Sequence, residues 1–270
     1  LRRLSAFFAP PAFAKFDEAD ALLGKQRLED PAFNRWMKHN VFPHRVQGYA
    51  AVTLSTKTVG TPPGDVSAEQ MDAVAAWASA FSFNEIRISH EQNFVLPHIP
   101  QHKLYELWQQ AQSIGLGHFN AGLISDMICC PGGDYCSLAN AKSLPVAEAV
   151  QRRFADYDFQ HDLRELDLNI SGCMNACGHH HVGHIGILGV DKKGQEFHQI
   201  SLGGHAGHSG AGPQLGQIIG PSVPRAEVCD VIEKVLLIFL DLRFEGESFL
   251  SCFNRIGIKP FKDSIYAKAA

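Results

Sequence analysis

Cys130 and Cys136, with five residues between them, and Cys173 and Cys177, with three between them, are the side chains in this sequence best suited to chemistry. The first pair lies in CCPGGDYC (Cys129 to Cys136) and the second in SGCMNACGHH (Ser171 to His180), so each sits on a turn flanked by Gly or Pro. Such turns offer sulfur and free backbone N–H groups together, and an iron–sulfur centre needs both. Structural zinc is the alternative, but its cysteine pairs usually stand about two to four residues apart, and the Cys130 to Cys136 gap is wider. A disulfide framework fits neither the odd count of seven cysteines nor a chain of this length, and no secretory signal pattern opens the sequence. A reducing compartment, the cytoplasm, is therefore expected. Cys229 falls in an apolar helical stripe and Cys252 in a short amphipathic segment, so both read as small buried hydrophobes. Cys129 adjoins Cys130, and neighbours on an extended turn point apart, so only one of these two reaches the centre.

Composition sets the frame for these turns. At 270 residues, 45% hydrophobic and 19% charged, the chain can bury a sizeable core and is expected to form two packed units. No apolar run reaches the length of about 18 residues that a membrane span needs, the longest candidate being VLLIFL (Val235 to Leu240). A formal charge of −4 with no Lys/Arg block argues against nucleic acid as a partner.

The elements that must carry the cysteines follow from periodicity. Residues 1–47 read as a helical arm and linker, with a helix starting at Asp30-Pro31 that bears Phe33, Trp36 and Met37 on one face, and Pro43 ending it. Tyr49 to Ser55 alternates like a half-buried strand, and Thr58 to Asp65 is a loop. Ser67 and Gln70 form a capping box before an apolar face of Met71, Val74, Ala75, Ala78 and Phe81. Two short strands, Glu85 to Ser89 and Phe94 to His98, precede a helix with Leu104, Leu107, Trp108 and Ala111. The order strand, helix, strand, strand, helix predicts a ferredoxin-like α/β sandwich half over 48–120, with both helices on one sheet face. In 121–270, a helix is expected from Ser137 to Phe154, its N-terminal dipole facing the thiolates directly after Cys136. Leu166, Leu168 and Ile170 form a strand delivering Cys173, and Ile185–Val190 and Phe197–Leu202 flank the hairpin signal DKKG. A helix from about Pro224 to Phe244 buries Val228, Val231, Ile232, Val235 and Phe239, which makes the chain α+β.

CPGGDYC, LDLNISGCMNACGHHHVGHIGILG (Leu166 to Gly189), RISHEQN (Arg87 to Asn93) and RIGIKPFK (Arg255 to Lys262) together resemble the C-terminal half of the sulfite and nitrite reductase haemoproteins, in the family's order and spacing. Those enzymes couple a 4Fe-4S cluster to sirohaem, and the resemblance runs over nearly the whole chain. It implies that 121–270 is an α/β domain binding both cofactors. It implies that Cys130, rather than Cys129, joins Cys136, Cys173 and Cys177 as cluster ligands, and that Cys177 also bridges to the sirohaem iron. Asn175, in the turn between the last two ligands, then either hydrogen-bonds the cofactor or shapes the turn. The activity implied is six-electron reduction of sulfite to sulfide or nitrite to ammonia, with ferredoxin or an NADPH flavoprotein as donor, since no nucleotide-binding glycine fingerprint occurs in the chain. A cluster-only electron-transfer module and a zinc-stabilised structural domain are the competing readings.

Two features fall outside the match. His179, His180, His181 and His184 make a tract that metals favour, although the resemblance gives it no ligand role, while His205 and His208 lie in GGHAGHSGAGP (Gly203 to Pro213), expected to be a mobile surface loop. The family is built from two related halves, and the cations that clamp the anionic substrate come largely from the first. RISHEQN occurs once and the sequence starts at Leu1, so a missing N-terminal half is an expected partner. Arg87 alone does not replace several cations around a dianion.

Overall fold

The computed structural model describes residues 11–15, 19–207 and 212–266. Two compact units emerge, one of Leu1–Ser55 with Val66–Phe119 and one of Thr56–Asp65 with Asn120–Ala270.

In the first unit, α1 (Ala19–Glu29) and α2 (Pro31–Asn40) lead into β1 (Val41–Pro43) and β2 (Tyr49–Leu54), followed by α3 (Ala68–Phe81), β3 (Arg87–Ile88), β4 (Phe94–Pro100) and α4 (Leu104–Ser113). The antiparallel sheet has the order β1-β2-β4-β3. From β2 onward this is the strand, helix, strand, strand, helix order of a ferredoxin-like half. Both helix starts were legible. Asp30 accepts from the backbone N–H of Ala32 and Phe33, and Ser67 and Gln70 make both bonds of their capping box.

The described helices of the expected arm do not stand apart. Leu23, Phe33 and Trp36 are buried in one core with Val52, Leu54, Leu96, Ile99, Leu104 and Leu107. The fully buried Asn40 ties α2 in place, its Nδ2 donating to the carbonyls of Thr53 and His118. The apolar face of α3 is also turned from expectation, since Met71 and Ala75 are exposed and Val74, Trp77 and Ala78 are buried. Trp77 is the cause: its ring is buried and its Nε1 donates to Gln110 on α4 at 2.6 Å, which fixes the helix rotation. β3 is shorter than predicted because Phe83, Asn84 and Gln92 take left-handed backbone angles beside it.

The second unit contains β5 (Ile128–Cys129), α5 (Leu144–Arg153), α6 (Tyr157–Leu163), β6 (Leu168–Ser171), β7 (Ile185–Lys192), β8 (Gln195–Leu202), β9 (Gln217–Ile218), β10 (Val223–Pro224), α7 (Val228–Leu242), α8 (Phe249–Ile256) and α9 (Lys259–Tyr266). Its sheet runs β10-β8-β7-β6-β5, with β9 on β8. β5, β6 and β7 are parallel, and β7 and β8 form the expected hairpin. All five side chains predicted on the buried face of α7 are buried, joined by Cys229 and Leu236. Each large apolar side chain contributes about 1.5–3 kcal/mol, so α7 is held by this face more than by helical propensity. Cys252, on α8, is fully buried in the same core. Segment 56–65 joins the unit through an ion pair between Lys57 and Asp126 at 3.6 Å, both side chains almost wholly out of water, and through Gln151, which bonds the backbone of Gly60 and Thr61.

The Gly-rich stretch departs from expectation over its described part. Gly203, Gly204 and His205 are buried, and a Cβ on Gly203 would lie 2.1 Å from the Phe253 ring. His205 exchanges two backbone hydrogen bonds with Gln214, which closes the base of the loop. His208 lies outside the described residues. Among the described residues, no helix is long and apolar enough to cross a membrane.

The link between α7 and α8 is fastened by Arg255, whose guanidinium donates to Glu247 and to the Leu242 carbonyl and lies 3.9 Å from the centre of the Phe244 ring. The Arg255 hydrogen bond holds the Glu247 carboxyl down at about 2. Because the folded value is depressed, this stabilisation is present above the ordinary carboxylate range and fades as pH falls from about 4.5 through about 2. Glu247→Gln is expected to melt below the wild type at pH 7, with the gap closing over that window. A gap in melting temperature independent of pH would remove the assignment.

Candidate functional site

The cysteines sit where the parallel strands end. β5 and β6 pair with Cys129 opposite Ile170, so Cys130 follows the end of β5 and Cys173 lies two residues beyond the end of β6. The carboxyl ends of adjacent parallel strands form the crevice in which open α/β sheets bind ligands. Cys177 belongs to the short crossover from β6 to β7, and Cys136 to the loop from β5 to α5.

Gly172 locks the two turns together. Its N–H donates to Cys130 Sγ at 3.0 Å, and its carbonyl accepts from Asn140 N–H at 2.9 Å and Ala141 N–H at 3.0 Å. A Cβ at Gly172 would stand 2.7 Å from Gly132 Cα and 2.8 Å from the Ala141 carbonyl, so the two loops touch through glycines. Gly132 has φ of 58°, a left-handed conformation that also lets the first turn close against Ser143. The second turn folds through Ala176 and His179, both with positive φ, and is seated by the Gly178 N–H bond to Ser171 Oγ at 3.1 Å.

This lock explains why no helix starts after Cys136. Residues 137–143 expected in a helix instead place Asn140 and Ala141 on Gly172, while Lys142 bridges to Gly132. α5 begins at Leu144, so its N-terminus arrives next to Ser143, a neighbour of Cys130 Sγ at 3.6 Å, rather than next to Cys136.

The four sulfurs are not equivalent. Cys130 and Cys173 are buried, Cys136 is intermediate and Cys177 is exposed. Around Cys136 and Cys177 in sequence stand the most exposed apolar side chains of these loops, Tyr135 at 82%, Leu138 at 71% and Met174 at 83%, and Asn175 is exposed in the same turn. Cys129 turns the other way, into the core, where its thiol donates to the Cys130 carbonyl and burial pushes its pKa far above the ordinary thiol range. A thiol held protonated is a poor metal ligand.

Among the described residues, no group of three or more His, Cys, Asp or Glu side chains could hold a single metal ion. A 4Fe-4S cluster distributes four thiolates over four iron corners and so takes its ligands wider apart than one ion does. Its negative charge also requires N–H donors, which the Gly172 hub supplies at Cys130. The donor set therefore fits such a cluster.

Of the histidine tract, His180 and His184 are buried, whereas His179 and His181 are exposed. His180 is buried with its pKa pushed down by burial to about 4, and the buried His184 accepts from Asp167 N–H at 3.0 Å and stacks parallel to His205. Arg87 is bound to Glu85 at 2.6 Å. Sequence reasoning missed Gly172 and Ser143 as partners of the site and the buried Lys57–Asp126 pair. A Gly immediately before a candidate ligand was the available signal for the first; nothing local marked the other two.

Residues 121–269 match the family described as Nitrite and sulphite reductase 4Fe-4S domain, and residues 52–114 the Nitrite/Sulfite reductase ferredoxin-like half domain. A sulfite reductase [ferredoxin] of Mycolicibacterium paratuberculosis is 34% identical over 71% of this chain and 36% of its own length. A chloroplastic ferredoxin–nitrite reductase of Betula pendula is 28% identical over 77% of this chain and 36% of its own. The solved structure of the NirA protein of Mycobacterium tuberculosis superposes with a TM-score of 0.66 at 26% identity, covering 82% of this chain and 41% of that one. The chain thus spans little more than a third of the length of the curated relatives it matches.

Gly178→Ala tests the seating of the second turn. Its Cβ would fall 2.0 Å from the Ile170 carbonyl oxygen, so a loss of about 1–3 kcal/mol is expected in urea unfolding. Gly24→Ala, with no atom within 4 Å of its Cβ, serves as the neutral or slightly stabilising comparison. Equal behaviour of the two would show that the turn is not packed on β6 as described.

Proposed function

The chain belongs to the nitrite and sulphite reductase family, and from that membership we propose that it is the cluster-bearing half of an assimilatory sulfite or nitrite reductase. In this reading Cys130, Cys136, Cys173 and Cys177 hold a 4Fe-4S cluster, and Cys177 also ligates sirohaem iron. The observation that carries it is the pair of glycine-locked cysteine turns at the ends of parallel strands, with Cys177 the exposed residue of the four. When bound, the two cofactors would relay electrons from the donor to sulfite or nitrite, whose full reduction takes six.

The chain's own groups prepare that chemistry. The Gly172 N–H stabilises negative charge on Cys130, and the Gly172 carbonyl, by holding Asn140 and Ala141, keeps the loop bearing Cys136 in register. The exposed Tyr135, Leu138 and Met174, neighbours in sequence of Cys136 and Cys177, would offer apolar surface to a bound macrocycle. Asn175, exposed two residues before Cys177, either hydrogen-bonds the cofactor or shapes the turn between the last two ligands. Arg87 is already engaged by Glu85, so the cations that clamp an anionic substrate come from sequence outside this chain, the N-terminal half of the enzyme. Ferredoxin is the donor favoured by the names of the relatives. A reducing compartment such as the cytoplasm suits cysteines that serve as cluster ligands rather than disulfide partners.

Anaerobic reconstitution with iron, sulfide and sirohaem, in the presence of the N-terminal half, tests the proposal. Expected are coupled haem and cluster signals, reoxidation of reduced ferredoxin on adding sulfite or nitrite, and loss of both signals in Cys177→Ser. Cluster uptake without any sirohaem absorption would reduce the chain to an electron-transfer module.

A further inference from the structure

Ser143 occupies the N-cap of α5, yet its side chain makes no cap hydrogen bond. Serine at this position ordinarily accepts from the backbone N–H of the first helical turn, an interaction worth about 1 kcal/mol. Here the fully buried Ser143 side chain lies instead with its Oγ 3.6 Å from Cys130 Sγ. The hydroxyl is wedged where the two cysteine turns meet. A Cβ on Gly132, in the first turn, would fall 2.5 Å from this oxygen, and one on Gly172, in the second, 3.0 Å from it. No larger residue at either glycine leaves room for it.

We propose that Ser143 is a positioning and redox-tuning residue, donating its hydroxyl proton to the Cys130 sulfur alongside the Gly172 N–H. The direction of the bond follows from chemistry, because a ligating thiolate has no proton to give and the hydroxyl must be the donor. Hydrogen bonds to ligand sulfur stabilise the more negative, reduced cluster more than the oxidised one and so raise its potential. The Gly172 donor is backbone, fixed by the fold. The Ser143 donor is the one a single substitution can remove, and since no cap bond exists to lose, its removal leaves the start of α5 unaltered.

The inference rests on the reading that Cys130 ligates a 4Fe-4S cluster, and its test separates the two. Cluster-loaded wild type, Ser143→Ala and Ser143→Thr are titrated electrochemically under EPR detection, with iron and acid-labile sulfide measured in each. Ser137→Ala, an exposed change in the same loop, is the control. Ser143→Ala is expected to keep its cluster and shift to lower potential, by about threefold to tenfold in the reduction equilibrium, tenfold being about 59 mV for one electron. Ser143→Thr is expected to return toward the wild-type value and Ser137→Ala to leave it unchanged. A full cluster with an unshifted potential in Ser143→Ala overturns the proposal. Loss of the cluster in Ser143→Ala alone also overturns it, since the hydroxyl would then be a structural tie. A wild type that takes up no cluster instead refutes the family reading on which the inference stands.

Discussion

One glycine sets the geometry on which the candidate site depends. Gly172 gives its N–H to Cys130 Sγ and its carbonyl to two N–H groups of the loop carrying Cys136, and it has no space for a side chain. Cys130 and Cys173, more than forty residues apart in sequence, are thereby brought onto a common scaffold. The same contact delays α5, turns Ser143 toward Cys130, and reaches β7, where a Cβ on Gly189 would stand 2.7 Å from the Gly172 carbonyl. Individual hydrogen bonds of this kind contribute only about 1 kcal/mol each, so the lock works by coupling them, with close packing forbidding partial versions.

The core supplies the rigidity the turns lack. β6 lies between β5 and β7, fully buried along its length, and the apolar face of α7 packs in the same cluster. Cys129, Cys229 and Cys252 are part of this core, and burial pushes the thiol pKa up at all three. Four of seven cysteines are thus left for chemistry by position. Of those four, Cys177 is exposed, Cys136 is half-buried, and Cys130 and Cys173 are buried.

Much of this was legible because the signals were local. Capping at Asp30 and Ser67, the β7–β8 hairpin around DKKG, and the α7 stripe each need only a few neighbouring residues, and each formed. What escaped was decided at long range. The segment after Cys136 has helix-forming residues, but its N–H groups found the Gly172 carbonyl. The stretch around Gly203 has the composition of a surface loop, but its first glycines give the Phe253 ring and the backbone of 181–183 room to approach. α2 is marked by its own cap at Asp30, yet nothing local shows that Phe33 and Trp36 complete the core of the first unit. The cysteine pattern pointed to the site; the glycines that assemble it read only as turn formers.

The central claim is that the two locked turns hold one iron–sulfur cluster. Mössbauer spectroscopy with acid-labile sulfide analysis of anaerobically prepared chain measures this directly. About four irons and four labile sulfides per chain are expected, with the quadrupole doublets of a cubane. Zinc in place of iron, or iron without labile sulfide, would contradict it.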